Sequence, residues 1–157
     1  MSGSVEITAK IAWDGKGADI TKRKYSRAHQ WTFDGGITTP ASSSPHVVPL
    51  PWSEERAIDP EEALVAAASS CHMMSFLWAA AKAGFNVARY EDEAVGILAK
   101  NGKGRYAITR ITLKPYIVFT GRQPSAQEQD ALHHEAHEEC YIANSLLTEI
   151  VVQAMER

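Results

Sequence analysis

The residues from Asp59 to Gly84 read D-P-E-E-A-L-V-A-A-A-S-S-C-H-M-M-S-F-L-W-A-A-A-K-A-G, and no other stretch limits the fold so tightly. Asp59 suits an N-cap, Pro60 the first helical position, and Glu61 and Glu62 the positive end of a helix dipole. Gly84 suits the residue just past a helix end, with Lys82 in the last turn. Between these caps almost every face is apolar, which places the helix in the interior of whatever it belongs to. Ala63–Ala81 is long enough to cross a membrane. Its alanine content and its polar Ser69, Ser70, His72 and Ser75 oppose insertion, so a buried helix of a soluble protein is expected, with no membrane partner. Cys71 sits near its midpoint.

The 157 residues allow a single domain with a real core, expected to span 1–157. A net charge of -3 gives no electrostatic case for nucleic acid or an anionic membrane. Met1–Glu6 has neither the basic start nor the apolar run of a signal peptide, and two cysteines make no secreted disulfide framework. A cytoplasmic protein with free, metal-bound or redox-active thiols is expected.

Alternation predicts a strand over Val5–Trp13 and a second over Thr21–Phe33. On the second, Arg23, Tyr25, Arg27, His29, Trp31 and Phe33 share one face. Arg27 among aromatic residues needs a carboxylate or similar partner, because an unpaired buried charge is costly. The Ser- and Pro-rich stretch after Asp34-Gly35-Gly36 reads as a long irregular segment to Arg56, either a pocket wall or a flexible surface loop. Beyond the central helix, strands are expected over Asn86–Lys100 and Arg105–Thr120, joined at Asn101-Gly102-Lys103-Gly104, with a bulge or edge at Pro115. Ser125-Ala126-Gln127-Glu128 is a capping box that opens a polar helix with an apolar line at Leu132, Ala136 and Cys140. A last strand is expected over Thr148–Met155. The order ββ-α-ββ-α-β predicts an α+β fold.

Two cysteines carry the chemistry, if any is present. Cys71, buried among apolar groups, needs a nearby cation to become a reactive thiolate, and Arg27 is the best candidate in the sequence, ahead of Arg23 and Arg56. Cys140, at a helix C-terminus after Glu138 and Glu139, is disfavoured as a thiolate. In a redox pair Cys71 therefore attacks and Cys140 resolves; the alternative is that both are small apolar residues. His133 and His137 have metal-ligand spacing beside His134, Glu138 and Cys140, but H-E-A-H lacks the zinc-protease spacing, and a solvated helix face is the simpler reading. No cofactor or metal is expected.

The sequences D-P-E-E-A-L-V-A-A-A-S-S-C-H-M-M and A-H-E-E-C-Y-I-A-N-S together resemble the OsmC/Ohr family, the osmotically inducible protein C and organic hydroperoxide resistance proteins. The resemblance implies antiparallel sheets packed on a long central helix in an intertwined homodimer with active sites at the subunit interface. It implies a thiol-dependent peroxidase for organic hydroperoxides, with Cys71 peroxidatic, Cys140 resolving, and Arg27 and Glu61 completing the site. The reductant it implies is an external dithiol, such as a lipoyl-bearing protein. Tyr141 stands where the family often has proline, and Thr38–Ala57 is longer than in the hydroperoxide resistance branch. Glu61 and Cys71 are ten residues apart, about 15 Å along a straight helix, so Glu61 serves Cys71 only if Arg27 bridges the gap, the helix breaks or the partner subunit supplies Glu61, the last two being the expectation. A non-catalytic protein holding a hydrophobic small molecule is the competing expectation.

Overall fold

The computed structural model describes residues 3–154, which form two compact units, one ending at Ala63 and the other beginning at Leu64. The first unit is a three-stranded antiparallel sheet of β1 (Ala9–Ala12), β2 (His29–Phe33) and β3 (Thr38–Ala41). The first expected strand is thus four residues long. Its pairing stops at Ala9, opposite Phe33 where β2 ends, and Val5 and Ile7 are left exposed.

The second expected strand is also shortened. Asp19 caps a 3-10 turn at Ile20–Lys22, and Arg23 adopts a left-handed conformation (φ 58°), so the backbone becomes a strand only at His29. The side-chain alternation survives the loss of the ladder, because Tyr25, Arg27 and His29 are half-buried while Ser26 and Ala28 are exposed. The segment after Gly36 is not an irregular loop throughout, since its first residues pair as β3. Beyond β3 it folds back on itself: Ser42 Oγ accepts from the Glu54 amide (2.9 Å), and the Arg27 amide donates to the Trp52 carbonyl (2.8 Å). Ala41, Ser42, Ser44, Ser53 and Ala57 are buried, so this stretch packs rather than hanging free.

Helix α1 (Pro60–Lys82) is continuous over 23 residues. Asp59 and Glu62 bond each other's backbone amides reciprocally (2.7 and 2.8 Å), an acidic version of the capping box. At the other end the Phe85 and Gly84 amides return to the Ala80 and Ala81 carbonyls while Gly84 takes φ +80°, the Schellman arrangement that glycine permits.

The second unit contains the rest of α1, four strands in two sheets, α2 (Ala126–Glu139), the short α3 (Tyr141–Ser145) and a last strand. The two long strands expected after α1 are each divided. β4 (Asn86–Asp92) pairs antiparallel with β7 (Pro115–Thr120), and β5 (Val95–Lys100) pairs antiparallel with β6 (Tyr106–Leu113). Pro115 opens β7 where the chain passes from one sheet to the other, a position that needs no ladder donor. The β5–β6 turn forms where the sequence places it, with Asn101 Oδ1 accepting from the Lys103 and Arg105 amides. β8 (Glu149–Val152) lies parallel to β6, so the second sheet is mixed, not wholly antiparallel. Met155, the end of the last expected strand, lies outside the described residues.

In this unit α1 packs on two apolar clusters. Ala68 meets Ile111 and Leu113 of β6, while Phe76, Ala79 and Ala80 meet Phe85 and Leu132 and Ala136 of α2. Gly96 of β5 lies so near the helix that a Cβ would stand 2.5 Å from Val65 Cγ2, so this crossing accepts only glycine. The composition of α1 predicts burial all round, but in the single chain only one face of the helix is buried. Its inner stripe is Ala68, His72, Phe76, Ala79 and Ala80, whereas Met74, Leu77 and Trp78 are exposed in the single chain, Trp78 by 68%. By length and composition α1 qualifies as a membrane span, with 28% of that window buried. Two polar groups on it nevertheless find protein partners, Ser69 bonding Asp92 of β4 and His72 bonding His133 of α2.

Candidate functional site

Each cysteine is positioned by a different piece of secondary structure in the second unit. Cys71 projects from the middle of α1, half-buried, one turn past the buried Ala68. The helix is pinned here to β4, because Ser69 Oγ donates to Asp92 Oδ2 (2.5 Å) and Asp92 Oδ1 accepts from the Lys114 amide (2.6 Å). Cys140 is buried at the junction where α2 ends and α3 begins, and its sulfur accepts from the Ala143 amide at 3.4 Å.

The two thiols are free and close enough to act on each other electrostatically. Burial, and then the neighbouring Cys71 side chain, push the Cys140 thiol up to about 11, against the opposing pull of the Ala143 and Ile142 amides. The cause differs from the one read in the sequence. Glu138 is drawn off by His134 (3.3 Å), and Cys140 stands at the start of a second helix as well as the end of the first. Desolvation therefore keeps the proton on Cys140.

A second group of expected residues lies in the first unit. Arg27, His29, Tyr25 and Glu61 line a cavity of about 490 Å³ with Ile11, Trp13, Ile20, Ser42, Ser43 and Pro60. Arg27 rests on the Tyr25 ring at 3.7 Å and donates from Nη1 to the Tyr25 carbonyl (2.5 Å). Its charge is thus met by a π face and a backbone dipole, where the sequence led one to expect a carboxylate. A chain of bonds fixes its backbone: Trp31 Nε1 donates to His29 Nε2 (2.8 Å), which leaves the His29 proton on Nδ1 to donate to the Arg27 carbonyl (2.7 Å). Arg23 is exposed and lines no part of this cavity.

Glu61 belongs to this cavity by its place in the first turn of α1. The helix does not break between Glu61 and Cys71, so the two are separated by about 15 Å of helix within one chain.

The histidines of α2 divide. His134 is exposed and pairs with Glu138, as a solvated face requires, but His133 is buried and bonds His72 of α1 at 3.1 Å. Among the described residues no group of three or more His, Cys, Asp and Glu side chains is arranged to hold a metal ion.

A mainly antiparallel α+β fold with a cysteine on a long helix and another at a helix junction defines a recognisable class. Residues 53–155 match the family model described as OsmC-like protein. The chain belongs to the OsmC-like family. It is 49% identical to an OsmC-like protein of unknown function from Vibrio cholerae O1 biovar eltor, with TM-score 0.93 over 97% of this chain and 100% of that one. Its fold is shared by two organic hydroperoxide resistance proteins. That of Elizabethkingia anophelis is 16% identical with TM-score 0.71 over 98% of this chain and 96% of that one. That of Bacillus subtilis is 18% identical with TM-score 0.68 over 94% and 98%. No curated protein sequence matches the chain.

Proposed function

We propose that this protein is a thiol-dependent peroxidase that reduces organic hydroperoxides to alcohols. The observation that carries the reading is the pairing of two free cysteines, Cys71 on the long helix and the buried Cys140 at the helix junction, near enough to influence each other. A thiolate at Cys71 attacks the distal oxygen of ROOH. The O–O bond breaks, the alkoxide leaves as ROH after taking a proton, and the sulfur becomes Cys71–SOH. Cys140 then attacks that sulfur, and a Cys71–Cys140 disulfide and one water result. An external dithiol, such as a lipoyl-bearing protein in a reducing cytoplasm, returns both thiols and is itself oxidised to a disulfide. In this scheme Arg27 stabilises the thiolate and polarises the peroxide, Glu61 orients Arg27, and no cofactor enters.

The working unit in this reading is a homodimer. The continuous helix separates Glu61 from Cys71 along its axis, and the scheme takes Glu61 from the partner subunit. The exposed Met74, Leu77 and Trp78 of α1 and Val5 and Ile7 near the N-terminus are apolar surface for a second copy to cover. Light scattering is expected to give twice the 17.2 kDa chain mass at micromolar concentration. A monomer that turns over hydroperoxide removes Glu61 from the scheme.

The cavity around Arg27 also fits a non-catalytic binding protein for an apolar molecule, since most of its lining is hydrophobic. Turnover separates the two. With dihydrolipoamide as reductant, cumene hydroperoxide is expected to be consumed catalytically, and faster than hydrogen peroxide. Absence of turnover with cumene, tert-butyl and fatty-acyl hydroperoxides alike leaves only the binding protein.

A further inference from the structure

His72 and His133 are 1% and 6% exposed, and His72 Nε2 lies 3.1 Å from His133 Nδ1. The ring planes differ by 9° and the centroids are 5.4 Å apart. That spacing equals the nitrogen separation plus the two centroid-to-nitrogen radii, the largest value the contact allows. The rings therefore lie edge to edge in a common plane, joined by a linear N–H···N bond and not stacked face to face. Phe76 covers His133 at 4.5 Å between centroids.

A bond of this kind does little for stability. Of two neutral imidazoles one donates and the other accepts, so in either tautomer one outer nitrogen keeps an unused N–H and the other an unused lone pair. Those outer atoms, His72 Nδ1 and His133 Nε2, are buried and have no partner. Each such atom has lost its water with nothing in return, whereas two phenylalanines would leave no polar atom unpaired. Position explains the pair better. His72 follows Cys71 on α1, and His133 precedes Cys140 by seven residues on α2, close to two turns and so on the same helix face. The other α1–α2 contacts are the apolar, non-directional packing of Phe76, Ala79 and Ala80 against Leu132 and Ala136, and an exposed Lys82–Glu135 ion pair in the last turn of α1, ten residues beyond His72. A linear bond between rigid rings is directional.

We propose that the His72–His133 bond is a positioning clamp that fixes the register of α1 against α2 and thereby keeps Cys71 beside Cys140 for disulfide formation. The clamp serves the thiol cycle proposed above, resting on that reading for its purpose, but its effect on the two sulfurs is measurable without any peroxide.

The test is the equilibrium of the Cys71–Cys140 disulfide in glutathione redox buffers, read by alkylation and mass spectrometry. Wild type is compared with His133→Phe, His133→Gln and the double variant His72→Phe/His133→Phe. The disulfide equilibrium constant is expected to fall about tenfold in His133→Phe, about 30 mV for this two-electron couple, and to recover in part with Gln, whose amide can still bond His72. The double variant is expected to fold with an undiminished melting temperature, having lost its orphaned polar atoms, yet to show the same tenfold loss. Stability and disulfide formation then move apart, which a merely structural role would not produce. A folded double variant whose disulfide constant stays within twofold of wild type overturns the clamp. Hydroperoxide turnover in wild type beside that result rejects the clamp alone, and no turnover beside the tenfold loss rejects the peroxidase alone.

Discussion

Serine in place of Cys71 is expected to reduce hydroperoxide turnover to the uncatalysed rate, a loss of at least about 10³-fold. The hydroxyl is far less acidic than a thiol and has no sulfenic oxidation state through which the cycle could pass. Cys140→Ser is expected to behave differently. Because the first step needs only Cys71, this variant should release one alcohol per subunit in a burst and then stop, with a sulfenic acid that dimedone traps. A burst from Cys71→Ser, or none from Cys140→Ser, would reverse the roles of the two sulfurs. Methionine at Arg27 keeps an unbranched, partly apolar side chain but removes the charge. A loss of about 10²-fold in the burst rate is expected, the scale of removing one preorganised electrostatic contact to a transition state. Light scattering on Arg27→Met separates that charge effect from loss of the assembly.

Features encoded locally were legible in the sequence. The acidic cap at Asp59, the Ser125–Glu128 box and the Asn101–Gly104 turn follow from side chains bonding backbone within a few residues, the exit at Gly84 follows from the positive φ that glycine permits, and all four form. The long strand expected from Thr21 failed for an equally local reason that went unread: Asp19 is an N-cap, and it turns Ile20–Lys22 into a helical turn. Alternation from Tyr25 to His29 reported which side chains face inward without requiring a strand ladder. The parallel pairing of β8 with β6 joins Glu149 to Arg110 across a connection that includes two helices, and no local pattern specifies it. His72 looked like a polar interruption of an apolar helix and His133 like part of a solvated face. Their partnership exists only once α1 and α2 pack. The exposed Met74, Leu77 and Trp78 show the same limit from the other side, because an apolar composition demands a cover without saying which chain provides it.

Acidification is expected to weaken the fold well before most carboxylates titrate, and the His72–His133 pair sets the window. Burial, and for His72 also the neighbouring imidazoles of His133 and His137, lower both groups from 6.5 to about 4, with Asp92 opposing the shift at His72. In the unfolded chain each histidine takes its proton near pH 6.5, whereas in the folded chain each resists it until about pH 4. Between those values the unfolded state binds more protons, so stability rises with pH across the window and is lost as pH falls from 6.5 towards 4. The slope is at most about 1.4 kcal/mol per pH unit for each histidine, or roughly 3 kcal/mol each over the whole interval. The two rings share a bond, so they charge as a coupled unit and the combined loss falls short of twice that value. Urea midpoints followed by circular dichroism between pH 7.5 and 4.5 measure the effect. His72→Phe/His133→Phe supplies the control, because it removes both groups while every carboxylate remains. The wild-type midpoint should fall steeply below pH 6.5 and that of the double variant should stay comparatively flat. Parallel curves would mean that the folded protein takes up protons at the buried pair as readily as the unfolded chain does, which two unsolvated rings joined by a single neutral bond do not allow.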